Sequence, residues 1–198
     1  MNRESIWGKG EKLTLNFIKE KNLSGNWLNL AAGDGRYVKE LLEKVDKLTL
    51  SDINPKELNK SLTVIPVNQK FKTEFSIFNF TKKFPFENST FDGVFCAGIL
   101  HLFDIKNLKY VFSEISRVLK PNGKILFDFA TDIKRVFKDR SLTKSFWRKN
   151  EAKRVLNKIL EDYNLKFFES TFEDNLINNS KYGFNSKGNF FLVYGEKI

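Results

Sequence analysis

The sequence predicts an α/β fold: a doubly wound, mostly parallel sheet of seven strands with helices on both faces and an antiparallel last strand. Two observations carry this. Apolar runs of strand length alternate with segments of helical period, as a parallel sheet covered on both faces requires. Further along, two aromatic runs follow one another with no crossover helix between them, which leaves antiparallel pairing as their connection. A chain of 198 residues suffices for one domain that buries roughly 70% of its unfolded surface. No repeat or linker divides it, so 1–198 reads as a single domain.

The elements follow in order. Trp27 to Ala32 is the first strand, and Gly33-Asp34-Gly35 turns the chain into a helix whose inner face is Tyr37, Val38, Leu41, Leu42 and Val45, spaced by three and four. Lys47 to Asp52 is the second strand, and Asn54-Pro55 opens a short helix with proline at its tolerated first position. No pattern settles Ser61 to Lys72. Thr73 to Phe80 and Phe91 to Ala97 are the third and fourth strands. Ile105 to Leu119 repeats with helical period until Pro121-Asn122-Gly123 stops it, and Lys124 to Ala130 is the fifth strand. A helix over Asn150 to Tyr163 precedes the closing strands, Leu165 to Phe172 and Asn189 to Tyr194.

One cysteine, Cys96, and one histidine, His101, exclude an internal disulfide framework and a zinc site of clustered Cys and His. No metal site is expected. No uncharged run approaches the roughly 20 residues that span a bilayer, so neither a membrane anchor nor a signal peptide is expected, and the compartment reads as the cytosol. The formal net charge is +10, concentrated between Asp132 and Lys158, where ten basic residues face three acidic ones.

In an open α/β sheet, ligands bind beyond the carboxyl ends of the strands. At those ends stand Asn29-Leu30-Ala31-Ala32-Gly33-Asp34-Gly35, whose glycines allow a sharp turn and close backbone approach, and Asp52, whose two oxygens suit a ribose diol. These residues, with Phe78-Asn79-Phe80-Thr81, Phe84-Pro85-Phe86, Phe91-Asp92-Gly93-Val94, Ile99-Leu100-His101 and Arg117 to Gly123, make the chain resemble the class I S-adenosylmethionine-dependent methyltransferases over about Leu23 to Lys197. The resemblance implies a Rossmann-like fold with S-adenosyl-L-methionine as cofactor. It places Asn29, Ala31, Ala32, Gly33 and Gly35 at the first motif, Asp52 and Ile53 at the ribose, Asn79 and Phe80 at the adenine, and Cys96 and Ala97 beside the cofactor after the fourth strand. Asn29, Ala31 and Asn79 depart from the usual acid, glycine and aspartate; Asn79 could still accept from the adenine amino group through its amide oxygen. A nicotinamide dinucleotide fits less well, because Val38 stands where its third glycine belongs.

The resemblance sets His101 beside the transferable methyl, as a base or an orienting group for the acceptor; Asp34 and Asp104 are weaker alternatives, equally read as a turn residue and a helix cap. The string Cys96-Ala97-Gly98-Ile99 lacks the Asn/Asp-Pro-Pro-aromatic motif of base-amine methylases and the Pro-Cys of cytosine-carbon methylases. The acceptor is expected to be a small molecule. Two further segments bear on that choice. Residues 1–22 form an extension in which Ile6, Trp7, Leu13, Phe17 and Ile18 could pack as a lid. Residues 132–150 form a basic insertion in which Val136, Phe137, Phe146 and Trp147 interleave with charge, read either as an amphipathic helix over a small-molecule pocket or as an RNA surface with stacking rings. A module that binds the methyl donor without catalysis is the remaining alternative. Nothing in the residues sets the oligomeric state.

Overall fold

The computed structural model describes residues 9–137, 141–143, 147–175 and 184–198. The helices are α1 (Lys9–Glu20), α2 (Val38–Leu42), α3 (Pro55–Ser61), α4 (Ile105–Val118) and α5 (Lys149–Ile159). The strands are β1 (Asn26–Leu30), β2 (Lys47–Asp52), β3 (Thr73–Ile77), β4 (Phe91–Cys96), β5 (Leu119–Phe137), β6 (Ser141–Thr143), β7 (Tyr163–Asn175) and β8 (Phe184–Lys197). They form one sheet in the order β3-β2-β1-β4-β5-β8-β7, with β6 paired outside that path to β5. Strands β1 to β5 pair in parallel, and β8 runs antiparallel between β5 and β7. Strand order reverses at β1 and β4, so the switch point falls between their carboxyl ends.

Alternation along each strand divides the core in two. Leu28, Leu30, Ile125, Phe127 and Phe129 pack on one face with α4 and α5. Trp27, Leu50, Phe95 and Leu126 pack on the other with α1, α2 and α3. Asp104 caps α4 by accepting from the Asn107 N–H at 2.8 Å, and Leu108, Val111, Phe112, Ile115 and Val118 bury its apolar face. Asp104 is thus a helix cap. In α1, Phe17 and Ile18 are buried, with the Phe17 ring 5.0 Å from Phe168 and 5.5 Å from Tyr194; the apolar side of this helix is spent on the sheet. Ile6 and Trp7 lie outside the described residues.

The basic segment departs from the amphipathic-helix reading of it. Asp132 to Phe137 prolongs β5, and α5 begins only at Lys149. The cause is pairing: after a register shift between Thr131 and Lys134, with Asp132 at φ 52°, the strand rejoins β8 at Lys134 and takes β6 on its other edge. Arg135 lies over the Phe184 ring at 4.9 Å and Phe137 packs on the same ring at 5.4 Å, which rewards the extension. Phe146 lies outside the described residues. Strands β1 and β3 stop at Leu30 and Ile77, short of the predicted Ala32 and Phe80, because the chain there turns into site loops. Likewise α2 is shorter than predicted, and Val67–Lys72, which carried no pattern, forms a 3-10 turn. Among the described residues no helix is long and apolar enough to cross a membrane.

Candidate active site

The tips of β1 and β2 are tied together. The Ala32 N–H donates to the Ser51 carbonyl at 2.8 Å and the Ser51 hydroxyl to the Asn29 carbonyl at 3.2 Å. Asn29 itself is buried in β1. Asp52 closes the link: its Oδ2 accepts from the Gly33 N–H at 3.0 Å and its Oδ1 from the Asn54 N–H at 2.9 Å. Each oxygen retains a second lone pair, so the carboxylate holds the turn and still offers acceptors at the sheet tip. Ile53, beside it, is 62% exposed.

The two glycines of the turn do different work. Gly35, at φ 83°, has no room for a side chain: a Cβ would lie 2.8 Å from Ser61 Cβ and from Val64 Cγ2. Gly33, at φ 55°, faces open space, where a Cβ would meet nothing nearer than the Ala31 carbonyl at 4.0 Å. Ala31 adopts φ 51°, a left-handed conformation that costs a non-glycine residue roughly 1 kcal/mol. The alanine in the first glycine position therefore keeps the glycine-like backbone.

At the end of β3, Asn79 does not offer the group expected of it. Its amide oxygen accepts from both the Thr81 N–H at 2.9 Å and the Thr81 hydroxyl at 2.7 Å, closing an Asx turn; the amide NH₂ is the end left over. Phe80 packs edge-on to Phe103 at 5.4 Å. The next loop is clamped to α4, because Glu114 accepts from the Phe84 N–H at 2.7 Å while Arg117 donates to the Phe84 and Phe86 carbonyls and pairs with Glu114.

Beyond β4 lie Cys96, Ala97 and His101. Cys96 is buried, and burial with the charge of Asp128 drives its thiol well above the ordinary range, which keeps it a thiol. His101 is 5% exposed in the turn Leu100–Leu102, edge-on to Phe129 at 6.3 Å. Burial, then the Arg135 cation, pull its ring down to about 4. It is neutral at pH 7, and so weak a base suits orientation of an acceptor better than proton removal.

The residue that the sequence reading passed over is Asp128. It stands alone among Ile125, Leu126, Phe127, Phe129 and Ala130 of β5, 2% exposed. Its Oδ1 accepts from the Gly98 N–H at 2.6 Å, while its Oδ2 is buried and accepts from nothing among the described residues. Burial raises the carboxyl to about 7 against the opposing effects of the Gly98 bond and Arg36. A carboxylate inside an apolar strand was the available signal.

Residues 28–127, half of the chain, match the family described as the methyltransferase domain. The chain belongs to that family. It is a class I methyltransferase, and its class depends on S-adenosylmethionine. Its fold is shared with solved structures of low identity. One is a complex of DhpI with S-adenosylhomocysteine, at TM-score 0.66 and 18% identity, covering 96% of this chain and 85% of that one. A second is the N-methyltransferase NodS of Bradyrhizobium japonicum with S-adenosyl-l-homocysteine, at TM-score 0.65 and 11% identity, covering 99% and 89%. A third is a SAM-dependent methyltransferase of Methanosarcina mazei, at TM-score 0.65 and 16% identity, covering 93% and 97%. Among curated protein sequences none matches.

The geometry of this methyltransferase suits an adenosyl ligand. The open backbone at Gly33 is a cradle that a side chain would fill, and the Asp52 carboxylate beside it has acceptors to spare. Exposed Ile53 supplies apolar surface on the same side as the Asx turn of Asn79, since β2 and β3 are neighbours in register at Asp52 and Ile77. Among the described residues no group of His, Cys, Asp and Glu could hold a metal ion.

Proposed function

We propose that the enzyme methylates a small-molecule acceptor, with the methyl donor seated across the tips of β2, β1 and β4. In this reading Asp52 and Ile53 hold the ribose, Asn79 and Phe80 border the adenine, and the Ala31–Gly33 turn with Cys96 and Ala97 lines the methionine side. The carrying observation is the Asp52–Gly33 bond, which fixes an acceptor pair and an open glycine backbone at the switch point. Bound S-adenosylmethionine supplies an electrophilic methyl on a sulfonium, so the protein's part is alignment and exclusion of water. His101, buried and neutral, orients the acceptor.

A small acceptor is favoured over RNA by what the basic segment does with its charge and rings. Lys149 and Lys153 both pair with Glu169, and Arg148 lies 3.8 Å from Asp132. Trp147 is buried, its indole N–H donating to the Phe103 carbonyl at 3.0 Å, so it offers no free stacking face. We place the protein in the cytoplasm on its one cysteine, Cys96, which is buried and forms no disulfide.

Calorimetric titration with S-adenosylmethionine and S-adenosylhomocysteine tests the donor site. Micromolar binding is expected, weakened at least about tenfold, or about 1.4 kcal/mol, by Asp52→Ala. Unchanged affinity in a folded Asp52→Ala protein would remove Asp52 from the site.

A further inference from the structure

Asp128 presents a chemical problem that the fold does not solve. A buried carboxylate oxygen without a donor is costly, yet Asp128 Oδ2 has none. None of the donors near it among the described residues makes a hydrogen bond to that oxygen, and the Tyr37 hydroxyl is itself buried without a partner. Cys96 lies on β4, Arg36 and Tyr37 lead into α2, and Glu11 of α1 takes the Arg36 guanidinium at 3.3 Å. Tyr37 is itself pushed upward by burial and by the charges of Asp128 and Glu11.

Position says which ligand group could reach it. Asn29, Phe95 and Leu126 are aligned across β1, β4 and β5. Asn29 shares its sheet face with Trp27, and Asp128 shares its face with Leu126; Trp27, Phe95 and Leu126 all belong to the core beneath α1 and α2. Asn29 and Asp128 thus point to the same side. Asn29 stands where the resemblance expects an acid, so Asp128, two residues further toward the ligand end of β5, is the anion that this face retains. With the ribose over Asp52 on β2, as proposed above, a ligand laid along the strand order β2, β1, β4, β5 would carry its amino-acid tail toward β5. The hydrogen-bonding cation of that tail is an ammonium, since the sulfonium has no N–H to give.

We propose that Asp128 Oδ2 receives the α-ammonium of the methyl donor's methionine tail, which makes this residue the anchor of the tail. The assignment rests on the donor site proposed above. It gives the unpartnered oxygen a charge-assisted donor, and it explains why an acid persists in a strand that is otherwise apolar.

The test compares S-adenosylhomocysteine with 5′-methylthioadenosine, which keeps the adenosine and lacks the amino acid, on wild type and Asp128→Asn. Because the carboxyl titrates near about 7, wild-type affinity for S-adenosylhomocysteine should fall about 30-fold between about pH 8.5 and about pH 5.5. Affinity for methylthioadenosine should stay flat. Asp128→Asn should weaken S-adenosylhomocysteine at least about tenfold at the higher pH and abolish its pH dependence, while retained methylthioadenosine binding shows the variant folded. If that variant loses both ligands, the wild-type profiles decide alone. A flat wild-type profile for S-adenosylhomocysteine, or its full retention in Asp128→Asn, overturns the assignment and leaves the donor site standing. Binding of neither ligand to wild type overturns both.

Discussion

Asp128 and His101 are displaced in opposite directions, and their effects on stability oppose each other with pH. The Asp128 carboxyl sits near about 7 in the native state against about 3.9 unfolded, so the native state binds more protons between those values. Its contribution is harmless below about pH 4, grows unfavourable as pH rises, and above about pH 7 costs on the order of 4 kcal/mol. His101, at about 4 against about 6.5 unfolded, does the reverse: stability is lost as pH falls from about 6.5 to about 4, by on the order of 3 kcal/mol. Asp128→Asn removes the first penalty and leaves an amide NH₂ without an acceptor, for a net gain of about 1 to 2 kcal/mol at pH 8. Thermal unfolding of the unliganded protein should show a rise of roughly 4 °C there, turning into a fall near pH 4, where the carboxylate penalty is gone and the cost of the amide remains. His101→Gln should instead flatten the acid limb. A drop in melting temperature for Asp128→Asn at pH 8 would mean that the native carboxylate is already satisfied. The same substitution is expected to weaken binding of the donor's tail, so stability and function diverge at this residue.

The turn between β1 and α2 separates two requirements that a glycine motif usually merges. Gly35 is demanded by the fold, since any side chain would collide with α3 and the residues after it, whereas Gly33 has no such neighbour and on the proposed donor site faces the ligand. Gly35→Ala should destabilise by at least about 3 kcal/mol, combining left-handed strain with overpacking. Gly33→Ala should cost only about 1 kcal/mol in chemical denaturation, yet raise the dissociation constant for S-adenosylhomocysteine at least about tenfold. Equal losses of stability in the two variants would show that Gly33 is structural too. The sequence could not separate them, because φ and the approach of Ser61 and Val64 are tertiary facts. Asn79 teaches the same lesson: its place at the end of β3 was legible, but the direction of its amide is decided by Thr81 two residues on.

Across the whole molecule, the parallel half of the sheet was readable from its apolar runs, because near-continuous burial on both faces writes itself into β1, β2, β4 and the middle of β5. The prolonged β5 was not, since Asp132 to Phe137 takes its strand form from β8, some 50 residues away in sequence. The geometry around Asp128 was hidden for a related reason: one acid in an apolar run says nothing of which oxygen it spends. The pairing of Arg148, Lys149 and Lys153 with carboxylates also has a consequence at this scale. Single-stranded RNA should bind weakly, with few phosphates engaged and a shallow dependence on salt. A loss of affinity approaching 10³-fold between about 50 and 200 mM salt, abolished by reversing Arg148 and Lys149, would restore RNA as the acceptor.

Trp147 joins two segments that chain order keeps apart. Its indole N–H reaches the Phe103 carbonyl after β4, its own carbonyl accepts from the Asp132 N–H, and its ring stands edge-on to Phe129 at 5.5 Å, the ring that also faces His101. Trp27 is buried on the opposite side of the sheet. The molecule therefore carries an intrinsic optical probe at each core: the emission of Trp147 reports on the core around Phe129, across which His101 lies, while that of Trp27 reports on β1. Replacing Trp7 and Trp27 by phenylalanine leaves Trp147 as the single emitter, and the acid transition of His101 can then be followed by light alone.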